Sequence, residues 1–539
     1  MSASAPRAPH RVSALAVIAA GALALTACTP AADTPQTTSA AGEIVDGGSL
    51  RVGIHAEPGN LDPTFASTFT SVTIYNTMCE LLYNVDADGV VYPQLAAAAP
   101  EFDETGTVVT VPLREGVLFQ DGTPFDAAAV KATLERNLTA EGSQRTNELD
   151  ALESVEVVDD HTVRMHLDEP VAQGVFDVMF TDRAGIMLSP TAFQDAAAFE
   201  QHPVCVGPFE FGTRVAQDSV TLLADEEYYD SAQVHLDEII YKIIPDTSVR
   251  ATNLLSGDID VMEKADATSL AVLEPASDVV VEQFPSIGYY NLEFNVGNVG
   301  GAPGDAADID SPVAADAALR QALALTIDRD AINAAVFSGA FEPACGFMAP
   351  SSPLASDTTL ACPGPDIEKA KGLVAESGVE TPIRVELMMN QQPEFRRMGE
   401  VIQQMAAEAG FEIVLDVQES TTTVDRGYGG DFQLYMNTWS GRIDPDANIS
   451  LFAMSDSPRS MSKYSDPEVD RLLIDARSSS DQDARIDAYD EIQQILDEDM
   501  PFIYLIRPTN IVGMGESVTG VRFRPNGSVV VGNAGFLSE

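Results

Sequence analysis

The sequence predicts an α/β chain built as two lobes. Three observations carry that expectation. Strand-like and helix-like stretches alternate irregularly, and a strand–helix–strand succession occupies residues 383–417. The chain has 539 residues, 45% of them hydrophobic, enough to bury more than one core. A late apolar strand also brings the chain back toward its first half.

The elements follow in order. Ser49–Ile54, "SLRVGI", opens as a strand and runs into the turn-rich "HAEPGNLDP". Asp126 stands where its side chain caps the helix "DAAAVKATLERNL". Residues 154–167 alternate apolar and polar on either side of Asp159-Asp160, the pattern of a hairpin. Residues 383–389 form a strand. Met398, Val401, Ile402 and Met405 then recur at helical spacing over 394–409, and Gly410 ends the helix. Residues 411–417 are the next strand, so the pair is joined by a crossover expected to be right-handed. Residues 431–439, "DFQLYMNTW", make one more strand, whose C-terminal end carries Trp439, the only tryptophan of the chain. Open α/β sheets bind ligands beyond that end of their strands. Asp466-Pro467 starts a helix with proline at its first position. A second helix follows near 482–497, and 500–506, "MPFIYLI", reads as a buried strand.

The N-terminus predicts export. Arg7 and Arg11 precede the apolar run 12–27, which ends in Leu25-Thr26-Ala27-Cys28. A basic region, a short apolar core and small residues before a cut site read as a secretory signal. The run is shorter than the ~20 residues that span a bilayer. Its ending resembles a bacterial lipobox, which makes 1–28 a lipoprotein signal peptide and Cys28 the lipidated first residue. Residues 29–42, small, polar and proline-bearing, read as a flexible tether. The rest is expected on the outer face of the cytoplasmic membrane, extracellular or periplasmic, held by the lipid. In that oxidising setting the cysteines pair. A local Cys345–Cys362 bridge is the natural reading, leaving Cys79 and Cys205 as a long-range pair, although four cysteines allow three pairings.

Charge and motifs exclude several functions. A net charge of −53 repels nucleic acid and anionic lipid surfaces. No phosphate-binding glycine loop, zinc-protease helix or serine-hydrolase elbow occurs. No metal and no cofactor is expected: the histidines are scattered, and His161 and His166, on one hairpin strand, fall on opposite faces. An enzyme, such as a secreted hydrolase, would need a nucleophile and base that no motif supplies.

Seven fragments in order carry a resemblance: "GGSLRVGIHAEPGNLDP" (47–63), "LREGVLFQDGTPFDAAAV" (113–130), "HPVCVGPFEF" (202–211), "SIGYYNLEFN" (286–295), "LRQALALTIDRDAI" (319–332), "WSGRIDPDAN" (439–448) and "YSDPEVDRLLIDAR" (464–477). Together they resemble the peptide/nickel family of ABC-importer solute-binding proteins. The resemblance implies a two-lobed periplasmic-binding-protein-like α/β fold with a hinge. Lobe I would be 43–290 plus 502–539 and lobe II 291–501. It implies a monomer that catches a short peptide or similar solute between the lobes and hands it to ABC permease subunits. Alternatives are an anionic, opine-like solute, a nickel or haem chelate, or a role as sensor subunit.

The resemblance also points to site residues. Ser67, Thr68 and Phe69 match the stretch that meets ligand backbone in peptide-binding relatives, and Tyr289 lies at a hinge crossing. Asn390 and Gln391 end a strand and offer amides. Trp439, Ser440, Gly441, Arg442 and Asp444 form the turn beyond the last cleft strand. In those relatives an aspartate three residues after the tryptophan holds the peptide's amino terminus. Here that position is Arg442, and a cation repels an ammonium group. Arg442 has two readings: an ion pair with Asp444 or Asp446 that shapes the turn, or a fork aimed at a ligand anion. Trp439 likewise either plugs a core or stacks on ligand.

Overall fold

The computed structural model describes residues 42–146 and 148–538, so the signal peptide, Cys28 and nearly all of the tether lie outside the described residues. Two mixed sheets organise the chain. It first lays down six strands of one sheet, β1 (Ser49–Ile54), β2 (Phe209–Val215), β3 (Ser219–Ala224), β4 (Glu238–Ile243), β5 (Val261–Met262) and β6 (Val279–Pro285). It then builds all six strands of a second: β7 (Tyr289–Phe294), β8 (Glu342–Pro343), β9 (Ile383–Asn390), β10 (Phe411–Gln418), β11 (Leu434–Trp439) and β12 (Phe502–Arg507). β13 (Thr509–Gly515) returns to the first sheet. The strand orders are β6-β13-β5-β1-β4-β3-β2 and β8-β12-β7-β11-β9-β10.

The crossings between the sheets are therefore short: 286–288 on the way out and Pro508 on the way back. The divisions expected at 290/291 and 501/502 fall within β7 and just before β12. Backbone pairing assigns both strands wholly to the second sheet, since Tyr289 pairs with Trp439 and Tyr290 with Ile506.

Sequence chemistry explains the pieces that position the cleft. β1 alternates, burying Leu50, Val52 and Ile54 completely. α1 (Phe69–Met78) is buried nearly all round, so its polar side chains must find partners inside. They do: Thr73 donates to Glu263 at 3.0 Å, and Thr77 accepts from the Tyr241 hydroxyl at 2.7 Å. α2 (Ala127–Thr139) starts under the Asp126 cap, whose carboxylate accepts from the Ala129 amide at 2.9 Å. The hairpin over 152–167 forms with its turn at Asp160-His161, so His161 sits in the turn and not on the strand beside His166. α3 (Gln173–Met179) follows and faces the second sheet's lobe.

In the second lobe α4 (Pro393–Ala407) connects β9 to its parallel neighbour β10, burying Phe395, Met398 and Ile402. Val401 and Met405 pack at the edge of the same core. α5 (Asp446–Ala453), α6 (Pro467–Ser478) and α7 (Gln482–Asp499) then lead into β12. The proline start of α6 is capped by Asp466, which accepts from the amides of Glu468 and Val469. The structure joins Cys79 to Cys205 and Cys345 to Cys362, with Cα–Cα separations of 5.4 and 5.1 Å.

One buried acid in this core gives a pH signature. Glu293 on β7 is 1% exposed; one oxygen accepts from the Ser462 amide at 2.9 Å and Oε2 has no partner. Burial pushes its carboxyl up to about 7 from an ordinary value of 4.5. Between those values the folded chain binds the extra proton, so stability falls as pH rises through that window. Glu293→Gln keeps the acceptor and removes the ionisation. Denaturant melts should show the variant gaining on the wild type as pH goes from 5 to 8; a constant difference would contradict this.

Candidate functional site

The strand β11, interior to the second sheet, carries Trp439 at its C-terminal end, and a tight turn follows. Gly441 has φ +81°, and a Cβ there would lie 2.5 Å from the Ile287 backbone in the crossing segment. Only glycine supplies both the left-handed conformation and the close approach. The turn is held from inside by Asn448 on α5, which is 1% exposed. Its Oδ1 accepts from the Trp439 indole N–H at 2.9 Å and from the Arg442 amide at 2.6 Å. Its Nδ2 donates to the Arg442 carbonyl at 2.8 Å. The indole packs edge-on against Phe452, with ring centres 5.2 Å apart. The Arg442 guanidinium lies 4.8 Å from the indole centre, a cation–π contact.

The first lobe faces this turn with a charged cluster. Arg145, 2% exposed, donates to both oxygens of Glu148 at 2.7 and 2.8 Å and to the Ala66 carbonyl at 2.9 Å. Arg183 also donates to Ala66 O, at 3.3 Å, and its Nε is 3.6 Å from Asp182. Across the cleft the Arg442 Nη2 stands 3.7 Å from Asp182 Oδ2. Burial by itself disfavours the Asp182 anion, but Arg183, Arg442 and Arg145 together outweigh it and hold the group well below the usual carboxylate range.

A second bridge lies further along the cleft. Arg477 of α6 reaches Glu169 at 3.5 Å and Asp150 at 3.9 Å in the first lobe, while its Nε contacts Asp446 at 3.2 Å. The Ala172 amide donates to the Arg477 carbonyl at 2.6 Å. Between the two bridges run two adjoining cavities, each lined by both lobes and sharing Glu148, Asp182, Trp439, Arg442 and Arg459. One is walled by Val171, Val175, Val178, Met179 and Leu451. The other leaves about 180 Å³ for the centres of water-sized molecules. One water needs ~10–15 Å³, so a small organic molecule fits.

The residues singled out from sequence divide. Ser67, Phe69, Trp439, Ser440 and Arg442 line the larger space together, and Gly441 lines a neighbouring recess. Asp444 lines the apolar cavity, yet both its oxygens accept from Arg485, at 2.7 and 2.9 Å, in a buried pair. Arg442 thus pairs with neither Asp444 nor Asp446; its carboxylate is Asp182 in the other lobe. Thr68 caps α1, accepting from the Ser71 amide and donating to the Pro58 carbonyl. Tyr289 is 2% exposed and donates to the Asn448 carbonyl at 2.9 Å, inside the core. Asn390 accepts from the Gln392 amide at the start of α4, and Gln391 is exposed beside it; neither reaches the cavities. Sequence reasoning missed Asn448, though it stands in the quoted motif. It also missed Arg145, Asp182, Arg183 and Arg459, which no local pattern marks.

Asn448 makes the turn testable. Asn448→Ala leaves the indole N–H and both Arg442 backbone groups without their partner, which should cost about 2–3 kcal/mol. Denaturant melts should show that loss together with an altered Trp439 emission in the native protein. Wild-type stability with unchanged emission would mean that the turn holds without the amide.

Comparison with known proteins agrees with this architecture. Residues 90–460 match the family model described as bacterial extracellular solute-binding proteins, family 5 Middle. The oligopeptide-binding protein AppA of Bacillus subtilis is 26% identical over 541 residues, covering 95% of this chain and 96% of that protein. The glutathione-binding protein GsiB of Escherichia coli O157:H7 is 27% identical over 481 residues, covering 86% and 90%. Among solved structures, the PBP AgaA of A. tumefaciens R10 with agropinic acid superposes with a TM-score of 0.78 at 24% identity, covering 91% of this chain and 99% of that one. The two-lobed mixed fold is theirs, and the family is one of solute-binding proteins and not of enzymes. The chain belongs to family 5 of the bacterial extracellular solute-binding proteins, the peptide/nickel type that serves ABC importers.

Proposed function

We propose that this chain is a lipid-anchored, monomeric receptor that captures a short peptide or similar small organic solute between its lobes and delivers it to the ABC permease. The supporting observation is the pair of cavities lined by residues of both lobes, with Trp439 and Arg442 on one side and Phe69 and Asp182 on the other. A solute that touches both walls favours the closed arrangement through its differential contacts, and two short crossings let the lobes move as bodies. In this reading Ser67, Phe69, Trp439, Ser440, Gly441 and Arg442 meet the solute. Thr68, Tyr289 and Asp444 hold those residues in place, and Asn390 and Gln391 lie away from it. An anionic, opine-like solute is the second reading, favoured by the Arg442 guanidinium in the wall of the cavity.

Trp439 reports on the first claim, being the only tryptophan. Adding back the solute released from natively purified protein should shift its emission, because closure removes water from the indole. Trp439→Phe should bind by calorimetry with little loss and show no optical change. Calorimetric binding without any Trp439 response would place the solute elsewhere.

Anchoring rests on Cys28. In the producing cell, Cys28→Ser should move the protein from the detergent phase to the aqueous phase on partitioning. Equal partitioning of the two forms would remove the lipid anchor from the account.

A further inference from the structure

We infer that the cleft takes a carboxylate-bearing organic solute, its anionic end between Arg183 of the first lobe and Arg442 and Arg459 of the second, its apolar body against Val175, Val178 and Leu451. This deepens the receptor reading and rests on it.

Charge gives the first reason. The chain carries −53 in all, yet the charged lining of the larger cavity is Arg145, Arg183, Arg442 and Arg459 against Glu148 and Asp182 alone. The sign of the surface is inverted there. In so acidic a protein, cations gathered in one cavity are spent against the general trend.

Unfilled donors give the second. Glu148 has both oxygens engaged by Arg145. Asp182 is shared loosely, 3.6 Å from Arg183 and 3.7 Å from Arg442. The Nε of Arg183 is buried without a hydrogen-bond acceptor, and Arg183 is only 9% exposed. Arg459 donates through Nε to the Tyr428 hydroxyl at 3.3 Å, and among the described residues no carboxylate comes within 4.0 Å of it. Of the carboxylates of the adjoining cavity, the two on the second lobe face arginines. Asp444 is saturated by Arg485, and Asp446, whose Oδ1 lacks a partner, has Arg477 beside it at 3.2 Å. An ammonium arriving there meets that guanidinium. Among the described residues, the buried polar side-chain atoms of the larger cavity that lack a partner, Arg145 Nε and Arg183 Nε, are donors, so a ligand there supplies acceptors.

Position gives the third. Arginines on opposite lobes repel as the lobes close, and Asp182 offsets that only in part. An anion held among Arg183, Arg442 and Arg459 converts the repulsion into attraction, with the planar guanidinium suited to a carboxylate fork. The anion thus couples binding to closure. The neighbouring wall of Val171, Val175, Val178, Met179, Ala447 and Leu451 has few polar groups to offer and suits an aliphatic or aromatic body.

The test uses the exported chain and matched probes: N-acetylated leucine, phenylalanine and their dipeptides as free acids, the same compounds as C-terminal amides, and the free dipeptides. Thermal melting and Trp439 emission are read for each. The acids should raise the melting temperature and shift the emission, and the amides should do neither. Arg459→Gln, a half-buried change, should weaken acid binding at least tenfold without altering the ligand-free melt, and Arg459→Lys should recover part. Arg183→Gln should weaken it as well, read on whatever fraction folds. Amides binding as tightly as acids, acids indifferent to Arg459→Gln, or no acid binding at all would overturn the inference. Free dipeptides also bear a carboxylate and should respond with the acids; if the amides give the Trp439 response as well, the receptor reading stands and only the anion specificity falls. If the natively co-purified solute also gives none, the receptor reading falls with it.

Discussion

The cleft depends on the buried amide of Asn448. One side chain fixes the indole, the amide and the carbonyl of the turn that follows β11. Its own carbonyl accepts the Tyr289 hydroxyl, which ties the same point to the strand entering from the first lobe. Tyr289 and Trp439 are also paired in the sheet register. The orientation of the cleft wall and the path of the crossing are thus set by one local network. Gly441 completes it by letting the turn press onto Ile287, where any larger residue collides.

The distribution of charge follows from the same economy. With few cations available, the chain still buries several of its arginines on backbone carbonyls. Arg507 shows what this does for the crossings. It donates to the carbonyls of Ile287 at 3.1 Å, Gly288 at 2.9 Å and Met348 at 2.8 Å. Burial pulls its guanidinium down to about 10, the cost of fixing a charge in low dielectric. Several carbonyls offset that cost, and the outgoing segment is locked to the last residue of β12. Arg524 acts similarly from the C-terminal segment, donating to the Thr181 carbonyl at 3.1 Å next to Asp182. Both ends of the cleft floor are stiffened by cations that a purely apolar core would not need. The acidic surface, by contrast, is solvated and contributes to solubility and not to the fold.

Much of the fold was legible because its signals are local. The β9–α4–β10 unit follows from apolar spacing between 383 and 417, and the caps of α2 and α6 from Asp126 and Asp466-Pro467; the strand read over 431–439 forms over Leu434–Trp439 as β11. The sheet crossings shifted because a strand's partner is not written in its own residues: β7 and β12 read as crossings but pair within the second sheet. The site was legible where it is one segment, 439–442. It was not legible where partners come from far away. Nothing near Arg442 in sequence announces Asp182, and Asp444 looked available until α7 brought Arg485 to it. Tyr289 was drawn to the cleft by its place at a crossing, but its hydroxyl is consumed by Asn448.

The most direct test of the account is a crystal structure of the natively purified chain with its co-purified solute. The account predicts density between Phe69 and Arg183 on one lobe and Trp439 and Arg459 on the other, with the Asn448 bonds to the turn intact. Solute density outside that space, or a bound form in which Asn448 has released Trp439 and Arg442, would contradict it.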